Sequence, residues 1–118
     1  MSEIHGPRED IVIEDTATNE DKILYTVPAN KILYLQEASL CSETTINGHG
    51  KLSYRNDSDV HIRFLCHMRY ETAVGSHISD HFVAPHFLKI LEGYDIMLHS
   101  SAIGLTIEGN FSGFLVDV

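Results

Sequence analysis

Histidine is the residue type with chemical capacity that this sequence holds in excess: His5, His49, His61, His67, His77, His81, His86 and His99 among 118 residues. Neutral imidazoles bind divalent transition metals, and a site needs several ligands converging on one point. Along the chain only His77, His81 and His86 lie close enough to be read as one set. On a helix His77 and His81 would stand about 6 Å apart on one face, whereas along a strand the same step separates them by about 13 Å. The residues around them read as extended or looped. Solvated histidines and no cofactor is therefore the preferred reading, and a divalent transition metal on His77, His81 and His86 is the alternative.

Other constellations carry less. The cupins, metal-holding sandwich enzymes, are marked by two histidines one residue apart, and no H-x-H occurs here. Ser100 and Ser101 lie in no G-x-S-x-G elbow, and no phosphate-binding glycine loop is present. Glu14 and Asp15 sit in a polar stretch, where paired carboxylates serve solubility. Cys41 and Cys66 have no CxxC spacing and read as two reduced, buried thiols. No catalytic residue is assigned.

Composition narrows the class. With 118 residues, 43% of them hydrophobic, the chain fits one domain with a core of its own. The net charge is -9, and residues 1 to 21 hold Glu3, Glu9, Asp10, Glu14, Asp15, Glu20 and Asp21 against Arg8 alone. Nucleic acid and anionic membrane surfaces are both bound through clustered Lys and Arg, which this sequence lacks, so neither is an expected partner. Its longest apolar runs, such as Ile32 to Leu35, are far short of the roughly 20 residues of a spanning helix. MSEIHGPRED has neither a basic start nor an apolar stretch, so no secretory signal is expected and synthesis is read as cytoplasmic.

The elements that must position any site read as strands. Ile23, Tyr25 and Val27 alternate up to Pro28, and Ile32 to Leu35 are apolar on both alternations, as in a strand buried on both sides. Residues 1–21 read as an acidic arm with a short edge strand at Asp10 to Glu14, and residues 22–118 as the sandwich domain. Asn47-Gly48 is the strongest hairpin signal, and Asn56 to Asp59 and Glu92-Gly93 read as further turns. Val60, Ile62, Phe64, Cys66 and Met68 alternate with His61, Arg63, Leu65, His67 and Arg69, the former facing inward. Pro85 interrupts Asp80 to Leu91 and suggests a sheet edge. In the last strand Ile103, Leu105 and Ile107 take odd positions but Phe114, Val116 and Val118 even ones. A bulge near Gly109 to Gly113 would account for that change. Seven to nine or so short strands with regular turns imply an all-β, single-domain antiparallel β-sandwich, jelly-roll-like in topology.

Tyr25, Thr26, Val27, Pro28, Ala29 and Lys31 form a corner that opens a long strand, and Pro85, Gly93 and Asp95 precede a last hairpin. With the C-terminal GNFSGFLVDV, this layout resembles the small β-sandwich modules of phage and prophage structural proteins, virion or tail-associated. The usual glycine of the first corner is Asn30 here, and asparagine also visits left-handed backbone angles. The resemblance spans residues 22 to 118 and implies a structural role, virion association and no catalytic motif.

The expected function is thus a non-enzymatic structural or protein-interaction module, and the alternative is a small metal- or ligand-binding cupin-like protein. A sandwich strand needs only one apolar face. Ile32 and Tyr34 opposing Leu33 and Leu35, and Leu88 and Ile90 opposing Phe87 and Leu91, therefore call for a covering partner. A homo-oligomer is expected, a trimer ahead of a dimer, since virion and tumour-necrosis-factor-like jelly rolls often pack in threes. Leu33 and Leu35 are the expected contact, with His61 and His67 sharing an exposed interface face. Protonating all eight histidines moves the formal charge from -9 to -1, so solubility is expected to be poorest at about pH 5 to 6. Turbidity against pH checks this, and a flat profile contradicts it.

Overall fold

Strict two-residue alternation commits most of the chain to strands, and the pairing among them sets the architecture. The structure, a computed structural model, describes residues 8–44, 46–71 and 80–118. Its strands are β1 (Arg8–Thr18), β2 (Asp21–Thr26), β3 (Lys31–Ser42), β4 (Gly48–Arg55), β5 (His61–Tyr70), β6 (Asp80–Ile90), β7 (Asp95–Ser100) and β8 (Thr106–Asp117). One antiparallel sheet runs β1-β8-β3-β6 and the other β2-β7-β4-β5. First strand pairs with last, second with seventh, third with sixth and fourth with fifth, as in one long hairpin rolled over itself. That order is the jelly roll, an all-β single-domain sandwich. Among the described residues no helix is long and apolar enough to cross a membrane.

The core lies between the sheets. Leu33, Leu35, Ala38, Leu40, Ile107, Phe111 and Leu115 come from the first sheet, and Leu52, Tyr54, Cys66, Met68, Ile96 and Leu98 from the second. Tyr25 crosses the gap to meet Phe111 edge-on, ring centroids 5.6 Å apart. Each fully buried leucine stabilises the fold by about 2 kcal/mol. Both cysteines are free: Cys66 faces this core, where burial pushes its thiol up to about 12, while Cys41 stands beside Glu108 on the outer side of β3.

The bulge expected in the last strand is absent: β8 keeps Ile107, Phe111 and Leu115 facing inward, and the irregularity lies in its neighbour. β8 pairs with β1 without a break from Val116 to Thr106. The extra residue is Gln36 of β3, since Leu35 pairs with Gly113 and Glu37 with Ser112. It turns the inward set of β3 from Leu33 and Leu35 to Ala38, Leu40 and Ser42. A β-carbon on Gly113 would lie 2.4 Å from the Tyr34 carbonyl oxygen, so only glycine lets the two backbones approach this closely. Phe114 and Val116 accordingly face outward. Leu33 and Leu35, expected at an oligomer contact, are both fully buried; the outward residues of β3 are Ile32 and Tyr34.

Other expectations are redrawn in the same terms. β1 is an edge strand, as expected, but eleven residues long, and Ala17 belongs to the core, so the acidic arm joins the sandwich from Arg8 onward. Asn47-Gly48 lies in a crossing between sheets, and the hairpin within one sheet is β4 to β5. There the Asn56 side chain accepts hydrogen bonds from the amides of Ser58 and Val60. β6 is an edge strand, and its register with β3 shifts between Leu88, opposite Leu35, and Val83, opposite Glu37. Asn30 and Gly93 hold φ of 62° and 78° at the turns assigned to them. Asp95 accepts bonds from Thr26 Oγ1 at 2.6 Å and Arg55 Nε at 2.9 Å, tying β2, β7 and β4 together.

Gly113→Ala is expected to lower unfolding stability by about 3 kcal/mol, because the obstacle is backbone and cannot rotate away. Urea denaturation measures this, and a cost below about 0.5 kcal/mol contradicts the close approach.

Candidate functional site

The ionisable side chains divide between the two outer faces. On the first sheet, Phe114 points outward yet is fully buried. Tyr34 stacks on it at 5.5 Å, Phe87 meets it edge-on at 4.9 Å and the Arg8 guanidinium lies 4.4 Å above its ring. The chain therefore covers much of this apolar patch itself. The rest of the face carries three carboxylates beside the exposed Val12 and Val83. Glu14 neighbours Asn110, Glu37 neighbours Ser112, and Glu108 neighbours Cys41. The Glu108 carboxyl shares a hydrogen bond with Glu43, which together with its partial burial raises its pKa above the usual carboxylate range.

His81 and His86 lie on β6, and His77 lies outside the described residues. His81 Nε2 is 3.5 Å from Glu37. His86 lines an open cleft of about 510 Å³ at the Ala84 to Phe87 bulge, with Glu37, Gln36 and Ser112. Among the described residues no three His, Cys, Asp or Glu side chains converge to hold a metal.

The second sheet collects the other described histidines. Strand register sets Asp21, His99, Lys51 and His67 in one row across all four strands. The next row is Ile23, Met97, Ser53 and Phe64, and beyond it Asp95, Arg55 and His61 follow. On the other side His49 pairs with Arg69, and its ring stacks on His67 at 5.6 Å. Asp21 hydrogen-bonds His99 Nδ1. His61 and His67 are both exposed, and Arg63 leaves their side to reach over the Phe82 ring at 5.5 Å.

Phe64 is the functional residue that alternation misplaces. β5 skips a pairing at Leu65 and again at Ile62, so Cys66 and Met68 face inward but Phe64, half exposed, faces outward with Ser53. His61 at 4.4 Å and the Lys51 ammonium at 5.4 Å hold its ring in place. Ile23, Met97 and Phe64 thus form an apolar stripe between rows rich in charge and imidazole. A shallow trough of about 360 Å³ runs along it. An apolar centre with a polar rim is the anatomy of a protein-binding surface.

No protein-family model and no curated protein matches the chain. Among solved structures it is similar to a pentameric capsid protein isolated from metagenomic phage sequences, at 13% identity and a TM-score of 0.46. The match covers 91% of this chain but only 61% of that one.

His49 carries a test of this face. Burial, then the nearby Arg69, pushes its pKa below the ordinary value of 6.5, and its Nδ1 is buried without a hydrogen-bond partner among the described residues. As pH falls through about 6.5 the unfolded chain takes up a proton that native His49 refuses, so this contribution to stability is full above that pH and is lost below it. Between about pH 7.5 and 5.5, wild type is expected to lose more stability than His49→Gln. Urea midpoints at the two pH values decide, and equal losses contradict the assignment.

Proposed function

We propose that this chain is a non-enzymatic structural module that works as a homo-oligomer, of the virion-associated kind its corner and turn residues resemble. The observation that carries the reading is the stripe of Ile23, Met97 and Phe64 on an outer sheet face. Ile23 and Phe64 are 47% and 51% exposed and lie in register across the sheet. Jelly rolls serve capsids, lectins and cupins alike, so the fold by itself selects none of these. The space between the sheets supports the structural reading: Leu, Ile, Phe and Met side chains fill it, and the described histidines stand on the outer side of the strands. A metal-binding reading that uses the described histidines is thereby confined to the surface.

Light scattering coupled to gel filtration tests the proposal with untagged protein. At tens of micromolar the expected mass is a multiple of 13.2 kDa. A monomer throughout that range contradicts it.

A further inference from the structure

The same rows specify how two copies would meet. We infer that the outer face of the β2-β7-β4-β5 sheet docks on the same face of a second copy, about a two-fold axis parallel to the strands and passing between β7 and β4. The inference rests on the homo-oligomer reading and adds to it the surface and the symmetry.

Opposite charges stand at the two edges of this face. Asp21 lies on β2 at one edge of the sheet, and His67, with Arg69 beside it, lies on β5 at the other. A two-fold parallel to the strands reverses the order of strands across the interface. Asp21 then faces the partner's His67, and the centre of the row brings His99 opposite the partner's Lys51. A two-fold perpendicular to the strands and passing through that row would instead set Asp21 against the partner's Asp21 and Lys51 against the partner's Lys51, which like charge disfavours. Charge therefore favours the parallel axis over that one.

The apolar row follows the same operation. Ile23 meets the partner's Phe64 and Met97 meets the partner's Ser53, so each large exposed side chain covers its counterpart in a self-complementary contact. The ring of Phe64 is already held by His61 and Lys51, which lowers the entropy lost on docking. The first sheet is the poorer surface for such a contact, because its largest outward ring, Phe114, is already covered by Tyr34, Phe87 and Arg8. The resulting assembly is a dimer, which reverses the sequence preference for a trimer.

The experiment is sedimentation equilibrium on the full chain and four variants, with circular dichroism confirming that each is folded. Phe64→Ser and Ile23→Ser change exposed side chains and are each expected to weaken self-association by about 30-fold, as loss of a large apolar anchor does. Asp21→Lys alone weakens it as well, whereas Asp21→Lys combined with His67→Glu restores it, because both charges of the facing pair are exchanged. Oligomers of unchanged affinity in Phe64→Ser and Ile23→Ser overturn the surface while leaving the homo-oligomer reading intact. A combined variant no tighter than Asp21→Lys overturns the two-fold arrangement, and a monomeric wild type overturns both readings.

Discussion

The close approach of β3 to β8 at Gly113 is the constraint on which the rest of this molecule depends. The carbonyl of Tyr34 occupies the space a side chain would need there, and the extra residue Gln36 enters β3 at that point. The bulge lets one long strand keep Leu33 and Leu35 and then Ala38 and Leu40 in a single core, although the two pairs differ in parity. It also fixes what lies outside: Ile32 and Tyr34 before it, Glu37 and Ser39 after it. The change from apolar to polar along the outer side of β3 is a consequence of one inserted residue.

The two outer faces then diverge. On the first, aromatic stacking and a guanidinium bury Phe114 within the chain, while Val12 and Val83 stay exposed toward its edges. On the second, bulges in β5 turn Phe64 outward, and His61 and Lys51 lie against its ring yet leave it half exposed. Large exposed apolar side chains in register, rimmed by ionisable groups, mark a surface that gains free energy by being covered. The imidazoles along that rim sit beside Lys51, Arg55 and Arg69.

Much of this was legible in the sequence where the signal is local. Asn30, Gly93 and the Asn56 to Asp59 turn announce themselves through backbone chemistry, and Pro85 identifies an edge strand because it lacks a donor. Phe114 and Val116 suggested a change of parity in the last strand, but they are apolar residues on its outer side, and alternation does not tell an outward apolar residue from an inward one. For the same reason Leu33 and Leu35 could not be told from Ile32 and Tyr34 by alternation, and Phe64 was read as core. Strand order was hidden because β1 and β8 are separated by nearly the whole chain. His61 and His67 share an exposed side as their spacing suggests, while His49 and His99 join them only through register between strands distant in sequence.

The account's central claim is that the outer face of the second sheet meets its own copy. An isotope-filtered nuclear Overhauser experiment on a one-to-one mixture of carbon-13-labelled and unlabelled chains reads this contact without altering a residue. The predicted result is cross-peaks between the Phe64 ring protons of one copy and the Ile23 methyl groups of the other. Filtered cross-peaks confined to Tyr34, Phe87 and their neighbours on the first sheet would contradict it, as would their complete absence at concentrations where the mass is that of an oligomer.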